Sequence, residues 1–383
     1  MRKALGSFSG TSCVVDTGNS NRCDVCHGTA RTGDASGAVL RELAEPGWDG
    51  CSHYHARVSK KWVRRPITVF GVVLGALLLT VLLPVWVLLS VVFDLLSRQM
   101  RLPTFRLLAF AWLWLWLETM GILGSVVLWF TGQARNHRAN YALQRWWAKR
   151  LIVALRITCG LKIEVEGVEA LPAGRLICFG RHASLGDALV SAWIFGSLAK
   201  RFPRYVMKKE LLFDPCLDIV GQRIPNYFVD RGSAALRQEI AGIKAMASNM
   251  GTRDVAVIFP EGTRTSDEKR IGLVARLERR APERHEKMRN LQRLLPPRSS
   301  GASALLEEVP DADVVIMWHV GFDGLDTFAG VRRRLSQGGP AARVVLEVDE
   351  RTSLPTGEAF EGWLDDRWLD IDRKVVEATS VTD

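Results

Sequence analysis

The sequence predicts an α/β fold with a mostly parallel central sheet flanked by helices, preceded by an N-terminal two-helix membrane anchor. From residue 161 onward, short apolar strands alternate with helical segments, which is typical of βαβ units. Before that point, two long apolar runs lie between clusters of basic residues. The 383 residues therefore divide into three predicted parts: a disordered tail over 1–56, a membrane-anchoring helical hairpin with basic flanks over 57–150, and a globular domain over 151–383.

The tail over residues 1–56 is rich in Gly, Ser, Thr and Asp and has no periodic apolar pattern, which is typical of disorder. Cys23, Cys26 and His27 have the spacing by which c-type haem is attached. Three further residues could complete a zinc set: Cys51, His53 and His55. The alternative interpretation is chance pairing, because a haem module needs an axial ligand and a packed pocket that so short a polar segment rarely builds.

The formal charge of +10 is concentrated in one window. Residues 57–150 contain thirteen Lys and Arg against two acidic residues, so this window carries +11 and the remaining chain −1. The same window holds eight of the thirteen Trp residues and both apolar runs. A nucleic-acid-binding protein spreads its basic residues over a polar face, whereas these flank segments too apolar for water. The pattern favours anionic membrane lipid, and not nucleic acid, as the partner.

The two apolar runs cover residues 67–93, without a charge, and residues 107–130, with the single charge of Glu118. About 20 apolar residues suffice for a helix to cross a bilayer. Pro84 interrupts the first run, so two alternatives stay open: a hairpin of two transmembrane helices, or two helices lying in one leaflet. Five basic residues precede the runs, three separate them and five follow them. Both alternatives predict a membrane protein whose globular domain lies on the cytoplasmic face. If the two helices lie in one leaflet, all thirteen basic residues are expected to face the same anionic headgroups.

The globular part is predicted element by element from its periodicity. Strands are predicted over residues 162–168, 175–179, 224–229, 254–259, 313–320 and 343–348. Helices are predicted over residues 187–199, 233–249 with Ser233 as N-cap, and 360–378. The highly charged stretch over residues 267–293 is predicted to be a solvated, mostly helical insertion rather than an arm that reads a headgroup. Three cysteines stand singly in this part and are predicted to be reduced, which suits a cytosolic location.

The first candidate site follows the strand over residues 175–179 and contains His182 and Asp187. A loop in this position lies at the carboxyl edge of the sheet, where open α/β sheets bind ligands. Histidine can take a proton at neutral pH, and a carboxylate on its other ring nitrogen would fix the tautomer. A five-residue offset does not put both residues on one helical face, so they meet only if the loop folds back. The alternative is that Asp187 caps a helix and His182 is a structural loop histidine.

The second candidate site follows the strand over residues 254–259. Gly262 allows a tight turn, Thr263 offers a hydroxyl, and Arg264 offers a guanidinium suited to phosphate. The alternative is an ordinary strand-to-loop turn with an exposed Arg. Another strand ends at Arg231, and Lys208 precedes it in the chain, so basic or proton-handling groups follow three strand ends. A substrate that carries both a phosphate and a hydroxyl would require such groups at one edge of the sheet.

Three sequence blocks, over residues 182–187, 228–231 and 259–264, resemble in order and spacing the first three blocks of the glycerophospholipid acyltransferase family, whose best-known members acylate lysophosphatidic acid. The resemblance covers residues 161–320. A looser similarity, over residues 294–301, is to longer members of that family, including lysocardiolipin acyltransferase-like enzymes.

The resemblance implies a one-step acyl transfer that needs no cofactor and no metal. His182 would remove the proton from the free glycerol hydroxyl of a lysophospholipid, with Asp187 orienting it, and the oxygen would attack the thioester of acyl-CoA or acyl carrier protein. The acceptor phosphate is expected at a group of six residues: Lys208, Arg231, Glu261, Gly262, Thr263 and Arg264. Glu261 is linked to acceptor binding in the family, and its alternative role is that of a partner for one of the arginines.

The sequence departs from the family pattern in the fourth block. Residues 314–319 lack the Pro that usually stands there, which leaves the acyl-chain pocket undefined. His319 ends this apolar strand and is predicted to be structural. Two other functions stay open: a catalytically silent lipid-binding or scaffolding protein of the same fold, and an electron-transfer protein that uses Cys23, Cys26 and His27.

Overall fold

The computed structural model describes residues 61–230, 236–325 and 327–380. The predicted tail, with the Cys and His residues of the haem and zinc hypotheses, lies outside these residues. Arg231 and the predicted N-cap Ser233 also lie outside them.

The two apolar runs form three helices rather than two. The N-terminal helices are α1 (Lys61–Val81), α2 (Leu83–Leu96), α3 (Pro103–Phe130) and α4 (His137–Cys159). The first run is broken at Leu82, because Pro84 has no N–H to donate and is accommodated in the first turn of a new helix. The buried carboxylate of Asp94 then accepts hydrogen bonds from the backbone N–H groups of Thr104 (2.9 Å) and Phe105 (3.0 Å). This carboxylate caps α3 and fixes the turn between the two runs.

The described residues of the globular part form a seven-stranded sheet. Its strands are β1 (Lys162–Glu166), β2 (Leu176–Gly180), β3 (Phe202–Lys208), β4 (Tyr227–Val229), β5 (Asp254–Ile258), β6 (Asp313–Val320) and β7 (Ala341–Asp349). The order across the sheet is β1-β7-β6-β2-β5-β3-β4. All pairs are parallel except β6 with β7, so the predicted mostly parallel sheet is confirmed.

Helices cover both faces of this sheet. They are α5 (Asp187–Trp193, continued by a π-helical turn over Ile194–Leu198), α6 (Pro215–Ile219), α7 (Leu236–Ala247), α8 (Asp267–Arg280), α9 (Pro282–Met288), α10 (Ser299–Glu308), α11 (Phe328–Ser336) and α12 (Ala359–Ser380). One apolar layer packs α7, α10 and α12 on the sheet, with Trp368 fully buried at its centre. The other packs α4 and α5 on the opposite face, around Ile152 and Phe195. The core is therefore a three-layer α/β sandwich.

The candidate site residues follow strands that share one edge of the sheet. Strand β2 is central, with β6 on one side and β5 on the other, and β3 and β4 continue the same parallel direction. The carboxyl ends of all five strands therefore meet at one edge, where ligands bind in open α/β sheets.

Side chains bind the N-terminal hairpin to the domain at several points. Arg64 on α1 forms a buried ion pair with Asp218 on α6 (Nη2–Oδ1 2.8 Å), and Arg65 contacts the same carboxylate at 3.3 Å. Arg106 on α3 donates to the backbone oxygen of Thr158 at 2.8 Å. The one-leaflet alternative predicted that all thirteen basic residues of this window face lipid headgroups, but these three are bound by protein oxygens.

Candidate active site

His182 and Asp187 are brought together by the loop that follows β2. The loop folds back, so that His182 Nδ1 lies 2.9 Å from Asp187 Oδ2. Asp187 is the first residue of α5, and its Oδ2 also accepts hydrogen bonds from the backbone N–H groups of Ala183 (2.7 Å) and Ser184 (2.8 Å). The hydroxyl of Ser184 donates to Oδ1. These donors hold the carboxylate in one orientation behind the imidazole.

The environment keeps Asp187 ionised. Burial by itself raises the pKa of this fully buried carboxyl, but the imidazole of His319 beside it and the hydrogen-bonded imidazole of His182 bring the pKa well below its ordinary value. An ionised Asp187 accepts the Nδ1 proton of His182, which leaves Nε2 as the nitrogen that can take a proton from a substrate. The imidazole is partly exposed and packs on the ring of Phe259, with the ring centroids 4.9 Å apart. The pair has the geometry of a general base with its orienting carboxylate.

Glu261 lies beneath the loop that carries His182 and has no exposed surface. Its Oε1 accepts a hydrogen bond from the backbone N–H of His182 at 2.7 Å. Its Oε2 accepts from the Thr265 hydroxyl at 2.6 Å and from the backbone N–H of Leu295 at 3.1 Å. The backbone N–H of Thr265 donates in turn to the carbonyl oxygen of His182 at 2.8 Å. Residues of the loop after β5 therefore form hydrogen bonds with both the backbone N–H and the backbone C=O of His182.

The expectation that Glu261 contacts the acceptor phosphate stays a prediction, and the structure shows a second role for this side chain. Both of its oxygens accept hydrogen bonds from protein donors. Burial raises the pKa of Glu261 to about 7, and the hydrogen bonds from Thr265 and His182 oppose that rise. Glu261 therefore positions the loop that carries His182.

The other residues of the predicted phosphate site lie at the same edge of the sheet. Gly262 has a φ of +70°, a left-handed conformation that favours glycine, and so turns the chain sharply after Glu261. Thr263 and Arg264 follow it and are half-buried, as is Lys208 at the end of β3. Arg231, the remaining member of the site, cannot be placed, since it lies outside the described residues.

Arg298 was not assigned to the site from the sequence, yet its side chain covers Gly262. A methyl group added at Gly262 would lie 3.4 Å from Arg298 Nε, and the backbone N–H of Arg298 donates to the carbonyl oxygen of Pro260 at 2.9 Å. The signal for this placement was present in the looser similarity over residues 294–301, which contains Arg298.

A cavity of about 740 Å³ opens beside the loop that carries His182 and Asp187. Ser184, Leu185 and Gly186 form part of its wall, and the rest is almost entirely apolar. Its far walls come from the hairpin side, through Trp114 of α3 and Trp147 of α4, and from α11. The cavity therefore lies between the sheet domain and the N-terminal helices. The described residues that line it include none of β6, the strand that lacks the Pro usual in the fourth family block.

The described residues contain no group of three or more His, Cys, Asp or Glu arranged to hold a metal ion. The cysteines and histidines of the haem and zinc hypotheses lie outside the described residues, so those hypotheses stay untested.

The fold and the site define an α/β enzyme with a His–Asp pair at the carboxyl edge of its sheet, beside an apolar cavity. Residues 162–317, which contain His182, Asp187 and Glu261, match the family model described as Acyltransferase. The globular part of the chain therefore contains an acyltransferase domain over these residues.

Two further comparisons were made. A crystal structure of the 1-acyl-sn-glycerophosphate (LPA) acyltransferase PlsC from Thermotoga maritima aligns with a TM-score of 0.42 and 17% sequence identity, over 69% of this chain and 95% of that chain. A search of curated proteins found no match to this sequence.

Proposed function

We propose that this enzyme transfers a fatty acyl group from acyl-CoA or acyl carrier protein to the free glycerol hydroxyl of lysophosphatidic acid or a related lysophospholipid. The observation that carries the proposal is that the loop of the His182–Asp187 pair also forms the wall of a 740 Å³ apolar cavity. The base and the space for an apolar chain therefore adjoin. Pockets of this size hold ligands with many carbon atoms.

In the proposed mechanism, His182 Nε2 removes the proton from the acceptor hydroxyl as the oxygen attacks the thioester carbonyl carbon. The new C–O bond forms, the C–S bond breaks, and the leaving thiolate takes the proton back from the imidazolium. Asp187 stabilises that imidazolium without becoming protonated itself, as its lowered pKa requires. The transfer is complete in one step, without a covalent bond to the enzyme.

The acceptor phosphate is assigned to the loop after β5 and its surroundings. Arg264 is the main candidate, with Lys208 and Arg231 in supporting roles, as the resemblance implies. Arg298 is added because its guanidinium covers Gly262, next to Arg264. Guanidinium groups bind phosphate oxygens in pairs of parallel hydrogen bonds, so two arginines at one loop suit a phosphomonoester.

The apolar cavity is assigned to an acyl chain. Its walls contain aromatic and aliphatic side chains from the N-terminal helices and from the sheet domain, such as Phe110, Trp147, Leu189 and Phe322. An apolar chain gains about 25 cal/mol for each Å² removed from water, so a wall of this composition binds by area and not by hydrogen bonding. The length of the cavity is then expected to limit the length of the chain that is transferred.

The hairpin is proposed to bind the membrane within one leaflet. Two of its helices, Lys61–Val81 and Pro103–Phe130, are long and apolar enough to cross a bilayer. Many of their large apolar side chains are exposed, including Ile67, Phe70, Leu123 and Trp129. Such a surface is unfavourable in water and suits the acyl boundary of a bilayer.

Contacts at both ends of α3 argue against a hairpin that spans the membrane. Near its start, Thr104 Oγ1 accepts from Arg332 at 3.2 Å, and near its end the carbonyl oxygen of Ser125 accepts from Arg223 at 3.1 Å. About 20 residues of helix, or roughly 30 Å, separate the two contacts, which equals the thickness of the bilayer core. A spanning α3 would require the domain on both sides of the membrane.

A catalytically silent lipid-binding protein of the same fold is the second candidate. The intact hydrogen bonds around Asp187 and His182 favour the enzyme over this candidate, because lipid binding alone needs no oriented base.

The proposal is tested by incubating the purified protein with a panel of lysophospholipids and with both acyl-CoA and acyl carrier protein donors. We expect the diacyl product and free thiol in equal amounts with at least one acceptor. Absence of product with every pair of substrates would contradict the proposal and support the silent lipid-binding candidate.

A further inference from the structure

His319 lies next to the catalytic carboxylate on the side away from His182. It is the penultimate residue of β6, the strand that neighbours β2 in the sheet. Its Nε2 lies 3.3 Å from Asp187 Oδ1, while His182 uses Oδ2. Asp187 is therefore flanked by two histidines, one at each oxygen.

A purely structural role does not account for the surroundings of His319. Its side chain is only 2% exposed, and neither ring nitrogen has a hydrogen-bond partner among the described residues. One ring nitrogen of an imidazole always carries a hydrogen, and a buried N–H without an acceptor is costly. Asp187 Oδ1 is an acceptor within reach of Nε2, and catalytic contacts often shorten only when substrate is bound.

We propose that His319 is a positioning residue, whose Nε2–H holds Asp187 Oδ1 and reduces the negative charge that Asp187 directs at His182. This inference rests on the proposed function, since it assigns His319 a part in the proton transfer by His182. The family match ends at residue 317, two residues before His319.

The charges around His319 fit this role. Its backbone carbonyl oxygen accepts a hydrogen bond from Arg181, whose guanidinium is also paired with Asp323 in the loop after β6 (2.6 Å). The ring itself meets the edge of Phe322, with the centroids 5.1 Å apart. Two carboxylates therefore face His319: Asp187, which lies 3.3 Å from Nε2, and Asp323, which interacts with His319 electrostatically but is itself paired with Arg181.

The sign of the effect on His182 follows from electrostatics. A donor at Oδ1 withdraws negative charge from the carboxylate, and a positive charge there would oppose a second positive charge on His182. Without His319, Asp187 therefore stabilises the protonated form of His182 more strongly, whether His319 is neutral or charged. The acid limb of the pH–rate profile, below which His182 is protonated and inactive as a base, should move to higher pH.

Three substitutions separate this role from packing. His319→Leu removes the donor; His319→Gln places an amide N–H near the position of Nε2; His319→Asn keeps a polar amide but is too short to reach Asp187. Trp318→Phe is the matched control, since it removes a partly buried hydrogen bond, from Trp318 Nε1 to Glu347 Oε1 (2.7 Å), on the opposite face of the same strand.

Two readouts are measured for each variant. The first is kcat and KM for acyl transfer as a function of pH. The second needs no acyl substrate: the rate at which diethyl pyrocarbonate modifies His182, followed by mass spectrometry as a function of pH, gives the midpoint at which the imidazole becomes neutral.

We expect His319→Leu and His319→Asn to move both midpoints to higher pH and to lower kcat at pH 7 about tenfold, which is what the loss of one hydrogen bond in the transition state produces. KM should change little, and His319→Gln and Trp318→Phe should keep both midpoints. The inference would be overturned if His319→Leu and His319→Asn kept the wild-type midpoints, or if His319→Gln moved them as far as His319→Leu. Should His319→Leu not fold, the comparison of His319→Gln with His319→Asn decides. If the wild-type protein transferred no acyl group, the proposed function would fail, while the modification midpoints would still decide on His319.

Discussion

At the residue scale, two buried carboxylates hold the catalytic loop in opposite ways. Asp187 stays ionised because His319 and His182 outweigh the effect of burial on its pKa. Glu261 has a raised pKa of about 7, because burial outweighs its hydrogen bonds. Asp187 orients the imidazole ring, and Glu261 orients the backbone that carries it.

The raised pKa of Glu261 predicts a pH dependence of stability. Below its ordinary value of 4.5, Glu261 is protonated in both the folded and the unfolded chain and has no effect. Above 4.5 the unfolded chain releases the proton and the folded protein retains it up to about 7, so the free energy of unfolding falls across this window. The loss amounts to roughly 3 kcal/mol. Urea unfolding of Glu261→Gln and of the wild-type protein between pH 4 and 8 measures it.

We expect the stability of Glu261→Gln relative to the wild-type protein to rise between pH 4.5 and 7. Glu278→Gln on the exposed side of α8 is the control and should show no such change relative to the wild-type protein. A constant difference between Glu261→Gln and the wild-type protein at all pH values would contradict the assignment.

The sequence predicted His182 and Asp187 as candidate site residues, because the motif and its place after a strand are local features, and the structure brings the two side chains together. It did not predict that Glu261 accepts a hydrogen bond from the backbone of His182, because this contact depends on the neighbouring strand β5 and on the backbone N–H of Leu295. It predicted His319 to be structural, because its distance from Asp187 depends on the order of strands in the sheet.

At the scale of elements, α5 links the catalytic loop to the cavity. Ala192 lies on this helix and lines the cavity, five residues after Asp187. Ala192→Phe should fill part of the space and shift donor preference towards shorter acyl chains, with kcat/KM for a C16 donor falling about tenfold or more relative to a C10 donor. Steady-state kinetics with both donors measures this ratio, and activity with the short donor is the internal control for folding. An equal loss with both donors would contradict the assignment of the cavity to the acyl chain.

The contact between α1 and α6 is predicted to stabilise the whole protein. Asp218 is fully buried and accepts hydrogen bonds from Arg64 at 2.8 and 3.0 Å. Removal of one partner leaves a buried guanidinium without its carboxylate, so Asp218→Asn should lower the free energy of unfolding by about 3 kcal/mol or more. Denaturant unfolding in detergent micelles measures the loss. Asp311→Asn, in the exposed pair with Arg175, is the matched control and should cost less than about 1 kcal/mol.

Several elements escaped prediction for physical reasons. Strand β3 contains Pro203 and Arg204, which the apolar strand pattern does not favour; here Arg204 is buried against Asp254 at 2.5 Å. Helix α11 is short and strongly basic. The predicted strand over residues 224–229 is reduced to three residues at the edge of the sheet. Of the other six strands, five were predicted from their apolar patterns, with β3 as the exception. The long C-terminal helix was predicted as well.

At the scale of the whole molecule, the hairpin and the domain form the cavity together. Arg64, Arg65 and Arg106 join the two parts, so only part of the charge of +11 in residues 57–150 is left for anionic lipid. Exposed basic residues remain in this window, including Arg98, Arg135 and Lys149. We expect high salt to release only part of the protein from vesicles, since the exposed apolar side chains stay inserted.

The one-leaflet proposal predicts which sites reagents can reach. With the four cysteines before residue 61 replaced by serine, single cysteines are introduced as Ser97→Cys in the turn after α2 and as Thr131→Cys after α3. In sealed vesicles with the domain outside, a membrane-impermeant maleimide should label both, as it labels the control Glu278→Cys on α8. Labelling of Ser97→Cys only after permeabilisation would indicate a spanning hairpin.

The most direct test of the central claim, that His182 is the base in acyl transfer, is the rate of His182→Ala compared with His137→Ala under saturating substrates. The account predicts that His182→Ala loses between about 10² and 10⁴ in kcat while it still binds lysophospholipid, because general-base assistance is worth that factor. His137 is exposed at the start of α4, and His137→Ala should retain wild-type activity. A kcat for His182→Ala within a few-fold of the wild-type value would contradict the account.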